Sequence, residues 1–518
     1  MPTEVNTQRP EIVIGLVGAI GTDLDFVCDS IDIVLKELAY STLHIRLSQL
    51  LKDAPLPDPP QFDQTQHERI ANAYMEAGNS WRKYIKRGDA MVLLAVAKLR
   101  EIREGINRPD EGISPPAYSH AFVLRSLKHP DEVKTLRHIY GASFFLLSAY
   151  APRRVRKDTL NRLIMQSHNS SLMENYESEA TELICRDEAE TGEDLGQQVR
   201  KTFWQGDAFV DASDLQHLTE AIQRIFRIWF GHPFHTPTRD EYLMFSAQAA
   251  AYRSASLGRQ VGAVIATQDG SLVATGTNEV PKAGGGHYWD GDSPDDRDHI
   301  RGYDSSDTMR QGLFGDILER LAKTPLFAEN MRDLPSNELL AVLSEKDKKA
   351  MREAEYMNLT EFQRPVHAEM MAITDAARRG ISIGGYTLYS TTFPCHGCAR
   401  HIVASGIARV VFIEPYAKSL ARNLHDDAIQ IEGEIRTNEK VRFETFLGLA
   451  PRRYSESFAM SRRKEADSTG KAIKWIPHES MPHIGEWDYF LSKRNEAKYM
   501  GQLAQILHDS QLIEPTAI

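Results

Sequence analysis

The sequence predicts two α/β domains in tandem, and three observations carry that prediction. Strands and amphipathic helices alternate through residues 1–234, opening with an apolar strand that runs into a glycine-rich turn and a helix. A short loop with two prolines, Gly231–Pro237, then breaks the alternation. Beyond it come a helix, a β-hairpin and two further helix–strand pairs, and these carry a His, a Glu and two Cys in close array. The expected division is therefore a parallel-sheet domain over 1–234 and a second α/β domain over 235–518. A chain of 518 residues is long enough for two or three domains.

In the first domain, Glu11–Gly18 reads as a buried strand, Leu24–Leu38 as a helix and Ser41–Leu47 as the next strand. Between the first two lie Gly18, Ala19, Ile20, Gly21, Thr22 and Asp23. A glycine turn opening a helix presents backbone N–H groups to an anion. The turn resembles a P-loop, but no lysine follows Gly21. A hydroxyl and a carboxylate, Thr22 and Asp23, stand there instead, so the resemblance implies phosphate binding and not ATP hydrolysis. A purely structural strand–helix turn is the alternative. A proline-rich loop near Pro55–Pro60 leads to helices over Gln66–Arg87 and Asp89–Arg103. Ala121–Leu124 and Phe144–Ser148 read as strands flanking a helix that reaches Tyr140. Arg153, Arg154, Arg156 and Lys157 then form a basic segment suited to a lid over phosphates, to RNA contact or to a solvated helix start. A strand within Trp204–Ser213 and a helix over Leu215–Phe230 complete the domain. Such alternation argues for a parallel sheet covered on both faces.

In the second domain, Asp240–Leu257 has helical periodicity. Val261–Ala266 and Ser271–Gly276 form a hairpin around Asp269-Gly270. A long insertion over 284–364 follows, with helical stretches near Leu313–Leu321 and Asn337–Glu355, and is read as a lid or an oligomer contact. Strands over Thr387–Ser390 and Arg409–Ile413 then bracket a helix.

His367-Ala368-Glu369 is separated by 24 residues from Pro394-Cys395-His396-Gly397-Cys398. This H-x-E…P-C-x-x-C order resembles the zinc nucleotide and nucleobase deaminases. Cys395 and Cys398, three apart at a helix start, can both reach one ion, and the helix dipole favours their thiolates. His367 is the third ligand of such a site. Three protein ligands leave a position for water, the arrangement of a catalytic rather than a structural zinc site. Glu369, two residues from the ligand His, is placed to move protons without binding metal. His396 and His401 are weaker candidates for a fourth ligand.

Within that group the hairpin's Gly276-Thr277-Asn278 and the run Cys398–Ile407 resemble the deoxycytidylate branch, in which the Asn meets the sugar. Arg253, Ser254 and Arg259 are phosphate candidates. Tyr416 and Lys418 are candidates for base stacking and phosphate contact. With the degenerate P-loop domain, Pro415-Tyr416-Ala417-Lys418-Ser419 and Pro451-Arg452-Arg453-Tyr454, nearly the whole chain resembles the two-domain bacterial anti-phage dCTP/dCMP deaminases. The resemblance implies a P-loop-like regulatory domain followed by a cytidine-deaminase-like α/β/α sandwich. It implies one catalytic Zn²⁺ per chain and conversion of dCTP and dCMP to dUTP and dUMP. It further implies restraint by a small RNA, a nucleotide in the first domain, and assembly into homo-oligomers such as a hexamer. Three rival readings remain: an editing deaminase acting on tRNA or single-stranded DNA, a nucleotide- or RNA-sensing binding protein, and an active nucleotide kinase in the first domain, against which the absence of a lysine after Gly21 argues.

Composition narrows the field. Net charge is −11, which disfavours general nucleic-acid coating. Only four cysteines occur, two of them in the metal motif, so no disulfide framework is expected and a cytoplasmic location is. No apolar run is long enough to predict a membrane span.

Overall fold

In a computed structural model the described residues are 9–56, 62, 64–107, 114–170, 176–188, 190, 195–325, 329–344, 347, 350–351, 354–359, 361–416, 418–431, 439–466, 470–485 and 488–509. They form two compact units, Met1–Glu241 with Phe446–Ile518, and Tyr242–Thr445.

The first unit is built on strands β1 (Ile12–Gly18), β2 (Ser41–Arg46), β3 (His120–Arg125), β4 (Phe144–Tyr150) and β5 (Ala208–Asp211). They lie parallel in the order β2-β3-β1-β4-β5. β1 is buried along its whole length because both sheet faces are covered. Its Val13 and Val17 pack with helices Ala90–Asn107 and Pro130–Tyr140 on one face. Its Ile12, Ile14 and Leu16 pack with helices Leu24–Glu37 and Leu215–Trp229 on the other. Crossovers run to opposite sides of β1. In open α/β sheets such a reversal opens a crevice beyond the carboxyl ends of the strands.

The C-terminal segment departs from the expected division. Residues 446–518 belong to the first unit, not to the second. The short strand Gly448–Leu449 pairs antiparallel with β5. Helix Tyr489–Asp509 buries Leu503 and Leu507 in the first unit's core. It also brings Glu496 to Arg103, whose guanidinium bonds Glu496 at 2.9 Å and Glu11 at 2.8 Å. Tyr140 Oη donates to the same Glu496 at 3.0 Å. A charged residue on a mostly polar helix carries no sequence mark of this burial.

The second unit has strands β6 (Gly262–Ala266), β7 (Leu272–Thr277), β8 (Thr387–Thr392), β9 (Arg409–Glu414), β10 (Ile429–Ile431) and β11 (Val441–Thr445). Their order is β10-β11-β9-β8-β6-β7, with β6 antiparallel to both β7 and β8 and the remaining pairs parallel. Helices Ala368–Arg378 and His396–Ala404 bury Ala368, Ala372, Ala376, Ala399 and Ile402 against one face. Small residues bring the first of these helices very close. A Cβ on Gly276 would lie 2.0 Å from Ala368 O. On the other face, a Cβ on Gly262 would lie 2.0 Å from Ala247 O of helix Arg239–Ala251. The expected sandwich of helices on both sides of a sheet is present. In the insertion, the expected helix near Leu313–Leu321 is part of Ser305–Ala322. Among the described residues of the stretch Asn337–Glu355, those within Ser336–Val342 and also Asp347, Ala350 and Met351 are helical, a 3₁₀ turn follows at Glu355–Asn358, and parts of the stretch lie outside the described residues. No helix among the described residues is long and apolar enough to cross a membrane.

Candidate metal centre and active-site pocket

Two chain reversals build the centre. β8 ends at Thr392, and Cys395 caps the following helix, its Sγ accepting from Cys398 N at 3.4 Å. His367 occupies the residue before helix Ala368–Arg378 in extended backbone. Both helix starts therefore face one point, and both add positive partial charge there. His367 Nδ1 lies 3.3 Å from Cys395 Sγ and 3.4 Å from Cys398 Sγ. The three donor atoms lie within 4.8 Å of one another. Tetrahedral zinc with Zn–S near 2.3 Å and Zn–N near 2.0 Å needs such atoms about 3.5–3.8 Å apart, so this set fits the ion. His396 and His401 are not part of the group.

Electrostatics agree. The Cys395 thiol is held far below its ordinary range by the hydrogen bond from Cys398 and by His367. Cys398, which donates that bond and is buried, is pushed up. Both bind metal as thiolates, so binding an ion displaces any proton the pair holds. His367 is raised, chiefly by its bond to Cys395.

The other ring nitrogen, His367 Nε2, meets Gln363 Oε1. An amide oxygen only accepts, so Nε2 carries the proton and the Nδ1 lone pair is left for a metal. Gln363 comes from the end of the insertion and had no sequence signal. Gln363→Leu is expected to weaken zinc affinity about 10–100-fold in a chelator competition. Gln363→Glu, which keeps an acceptor oxygen, is expected to restore it. Equal affinity in the leucine variant would remove Gln363 from this role.

Glu369 is 4% exposed, in the first turn of its helix, with Oε2 3.5 Å from Cys398 Sγ. Burial raises its pKa. It opens with His367 and Cys395 into a cavity of about 210 Å³, whose walls include Asn278, Arg259, Tyr416, Phe393, Asp304 and Gln363.

Of the six expected substrate residues, Asn278, Arg259 and Tyr416 line this cavity, and Arg253, Ser254 and Lys418 do not. The Arg253 guanidinium lies 3.4 Å over the Trp289 ring, with Nη1 3.2 Å from His287 Nδ1. Ser254 Oγ donates to Asn278 O at 2.7 Å, and Lys418 is exposed outside the cavity. Even Asn278 spends its side chain internally. It accepts from Val261 N and donates to Arg259 O, both at 2.7 Å, so it sets the path of the Arg259 segment. Arg259 is the basic group at the wall. Its guanidinium lies 5.5 Å from the Tyr416 ring centre and 3.1 Å from Glu414 Oε2. Asp304 and Gln363 show the insertion contributing to the wall, which pattern reading over 284–364 could not resolve.

In the first unit, Gly18 to Asp23 line a cavity of about 490 Å³ at the carboxyl end of β1. Gly21 has φ +86°, and a Cβ there would lie 2.6 Å from Arg156 O. Asp23 is committed to capping its helix, accepting from Phe26 N at 3.0 Å. Thr22 Oγ1 is buried with no hydrogen-bond partner. The lysine absent from the turn itself arrives from the end of β3, with Lys128 Nζ 3.3 Å from Gly18 O.

Residues 237–414 match the family described as the cytidine and deoxycytidylate deaminase zinc-binding region. Deoxycytidylate deaminase of Enterobacteria phage T4 is 50% identical over 54 residues, 10% of this chain and 28% of that enzyme. ComE operon protein 2 of Bacillus subtilis is 31% identical over 90 residues, 15% of this chain and 48% of that protein. The chain thus spans less than half the length of either relative. A crystal structure of dCMP deaminase from cyanophage S-TIM5, in complex with dCMP and dUMP, aligns over 41% of this chain and 100% of its own. The TM-score is 0.23 and the identity 16%.

Proposed function

We propose that the chain is a zinc-dependent hydrolase that deaminates deoxycytidine nucleotides, taking dCTP and dCMP to dUTP and dUMP with release of ammonia. The observation that carries this is the convergence of His367, Cys395 and Cys398 beside the buried carboxyl of Glu369, at a cavity that His367, Glu369 and Cys395 line. When bound there, zinc supplies Lewis-acid activation of water near neutral pH. Glu369 removes the water's proton, delivers it to the pyrimidine N3 as C4 is attacked, and assists departure of the amino group as ammonia. Phe393 and Tyr416 offer aromatic walls to the pyrimidine. Arg259 is the guanidinium available to a phosphate.

The test is ammonia release from dCMP, dCTP, CTP and cytidine, with and without added RNA. Turnover of cytidine alone would refute the nucleotide assignment. The editing reading is tested by single-stranded oligonucleotides in the same assay, and the net charge of −11 argues against it. Cys395→Ala and His367→Ala are each expected to lose bound zinc, measured by elemental analysis of the purified chain. Full occupancy in either variant would sink the ligand assignment.

The first unit is read as a nucleotide-binding regulatory unit, supported by the glycine turn, Lys128 and the adjoining cavity. The anti-phage resemblance extends the proposal to depletion of dCTP in a homo-oligomeric, cytoplasmic enzyme restrained by a small RNA. Loss of protection against phage in a Glu369→Ala strain tests that role. Protection that survives the substitution would favour the sensing protein.

A further inference from the structure

Helix Glu177–Glu188 ends in two carboxylates that occupy the basic surroundings of the glycine turn. Asp187 is fully buried, and its two oxygens are divided between two donors. Oδ2 accepts from the turn amide Ile20 N at 2.7 Å, and Oδ1 accepts from Lys128 Nζ at 2.7 Å. The next residue, Glu188, receives Arg156 Nη2 at 2.7 Å and Arg200 Nη2 at 3.0 Å. The first residue of the same helix, Glu177, takes Lys157. Arg156 and Lys157 of the basic segment after β4, and the lysine beside the turn, are thus paired with carboxylates of one helix. A backbone amide of a glycine turn and a lysine ammonium are the donors that a phosphate oxygen seeks.

We propose that Asp187 and Glu188 hold the place of a polyphosphate in this crevice, so that docking of helix Glu177–Glu188 and binding of a nucleotide's phosphate chain exclude each other. The inference rests on reading the first unit as nucleotide-binding. Three features favour it over an ordinary buried ion pair. The carboxylate sits on the turn amide itself, the 490 Å³ cavity adjoins it, and Thr22 Oγ1 in the same turn is buried without a partner. The cavity's Leu51, Tyr74 and Met75 offer an apolar wall for a base.

The experiment is calorimetric titration of the full chain with inorganic tripolyphosphate, ATP and dCTP. Asp187→Asn keeps the side-chain shape but removes the competing charge. It is expected to tighten tripolyphosphate binding at least ten-fold over wild type, and Lys128→Gln to weaken it at least ten-fold. Weakening by Lys128→Gln without tightening by Asp187→Asn would leave the phosphate site standing and overturn the competition. No binding by either wild type or Asp187→Asn would overturn the site and the competition together. Tighter binding of ATP or dCTP than of tripolyphosphate identifies a nucleotide, and equal binding identifies the phosphate chain alone as what is recognised. Hydrogen exchange on the wild-type chain gives a readout independent of the variant's folding. Amides of 177–188 are expected to exchange faster as tripolyphosphate is added, and unchanged exchange overturns the proposal.

Discussion

Glu369→Ala is expected to slow ammonia release from dCMP and dCTP by about 10²–10⁴-fold, the usual worth of a positioned acid–base group. Zinc content should remain that of wild type, because Glu369 is not one of the three converging donors. The effect follows from placement. Glu369 is fixed in the first turn of a helix whose Ala368, Ala372 and Ala376 pack against the sheet, so its carboxyl cannot withdraw from the cavity. Its removal takes away a proton route without loosening the ligands. Ammonia release and metal content measured on one preparation settle the matter. Turnover within ten-fold of wild type would rule out the assigned role, and loss of zinc would make Glu369 part of the metal site instead.

Arg103→Ala is expected to destabilise the first unit by about 3–5 kcal/mol. Arg103 is wholly buried between Glu11 and Glu496, and burial alone would lower its pKa. The two carboxylates outweigh that and raise it. Without the guanidinium, Glu496 keeps Lys493 Nζ at 3.5 Å and the Tyr140 hydroxyl at 3.0 Å, whereas buried Glu11 loses its ion-pair partner and keeps the bond from Ala117 N at 2.8 Å. Urea unfolding followed by tryptophan fluorescence should show the first unit's transition moving to much lower denaturant. A loss under about 1 kcal/mol would mean that water reaches the carboxylates once the arginine is gone.

The centre of the second unit was legible because its chemistry is concentrated. His367, Glu369, Cys395 and Cys398 sit at fixed short spacings beside helix starts, and residue type alone announces them. The parallel sheet of the first unit was legible from apolar runs such as Ile12–Gly18, which only a doubly covered strand sustains. The rest is long-range. Gln363 is an ordinary amide until the fold sets it against His367. Lys128 lies 110 residues from the turn it joins. Arg253 looked like a phosphate ligand because its charge is visible in sequence, whereas its stacking on Trp289 is not. The C-terminal segment was expected in the second domain and groups with the first unit, where Glu496 and Arg103 meet from 393 residues apart.

That return of the C-terminal segment bears on the order in which the protein is made. All the strands of the second unit have been translated by residue 445, so its sheet can close while the remaining residues are still being added. The first unit began earlier but must wait. Until residue 496 emerges, Arg103 has one carboxylate partner in place of two, and the pocket that will receive helix Tyr489–Asp509 stands open to solvent. Domains usually mature in the order of their synthesis. Here the unit that starts second has its strands first, and the N-terminal unit gains its last described helix only after them, when Tyr489–Asp509 has been added.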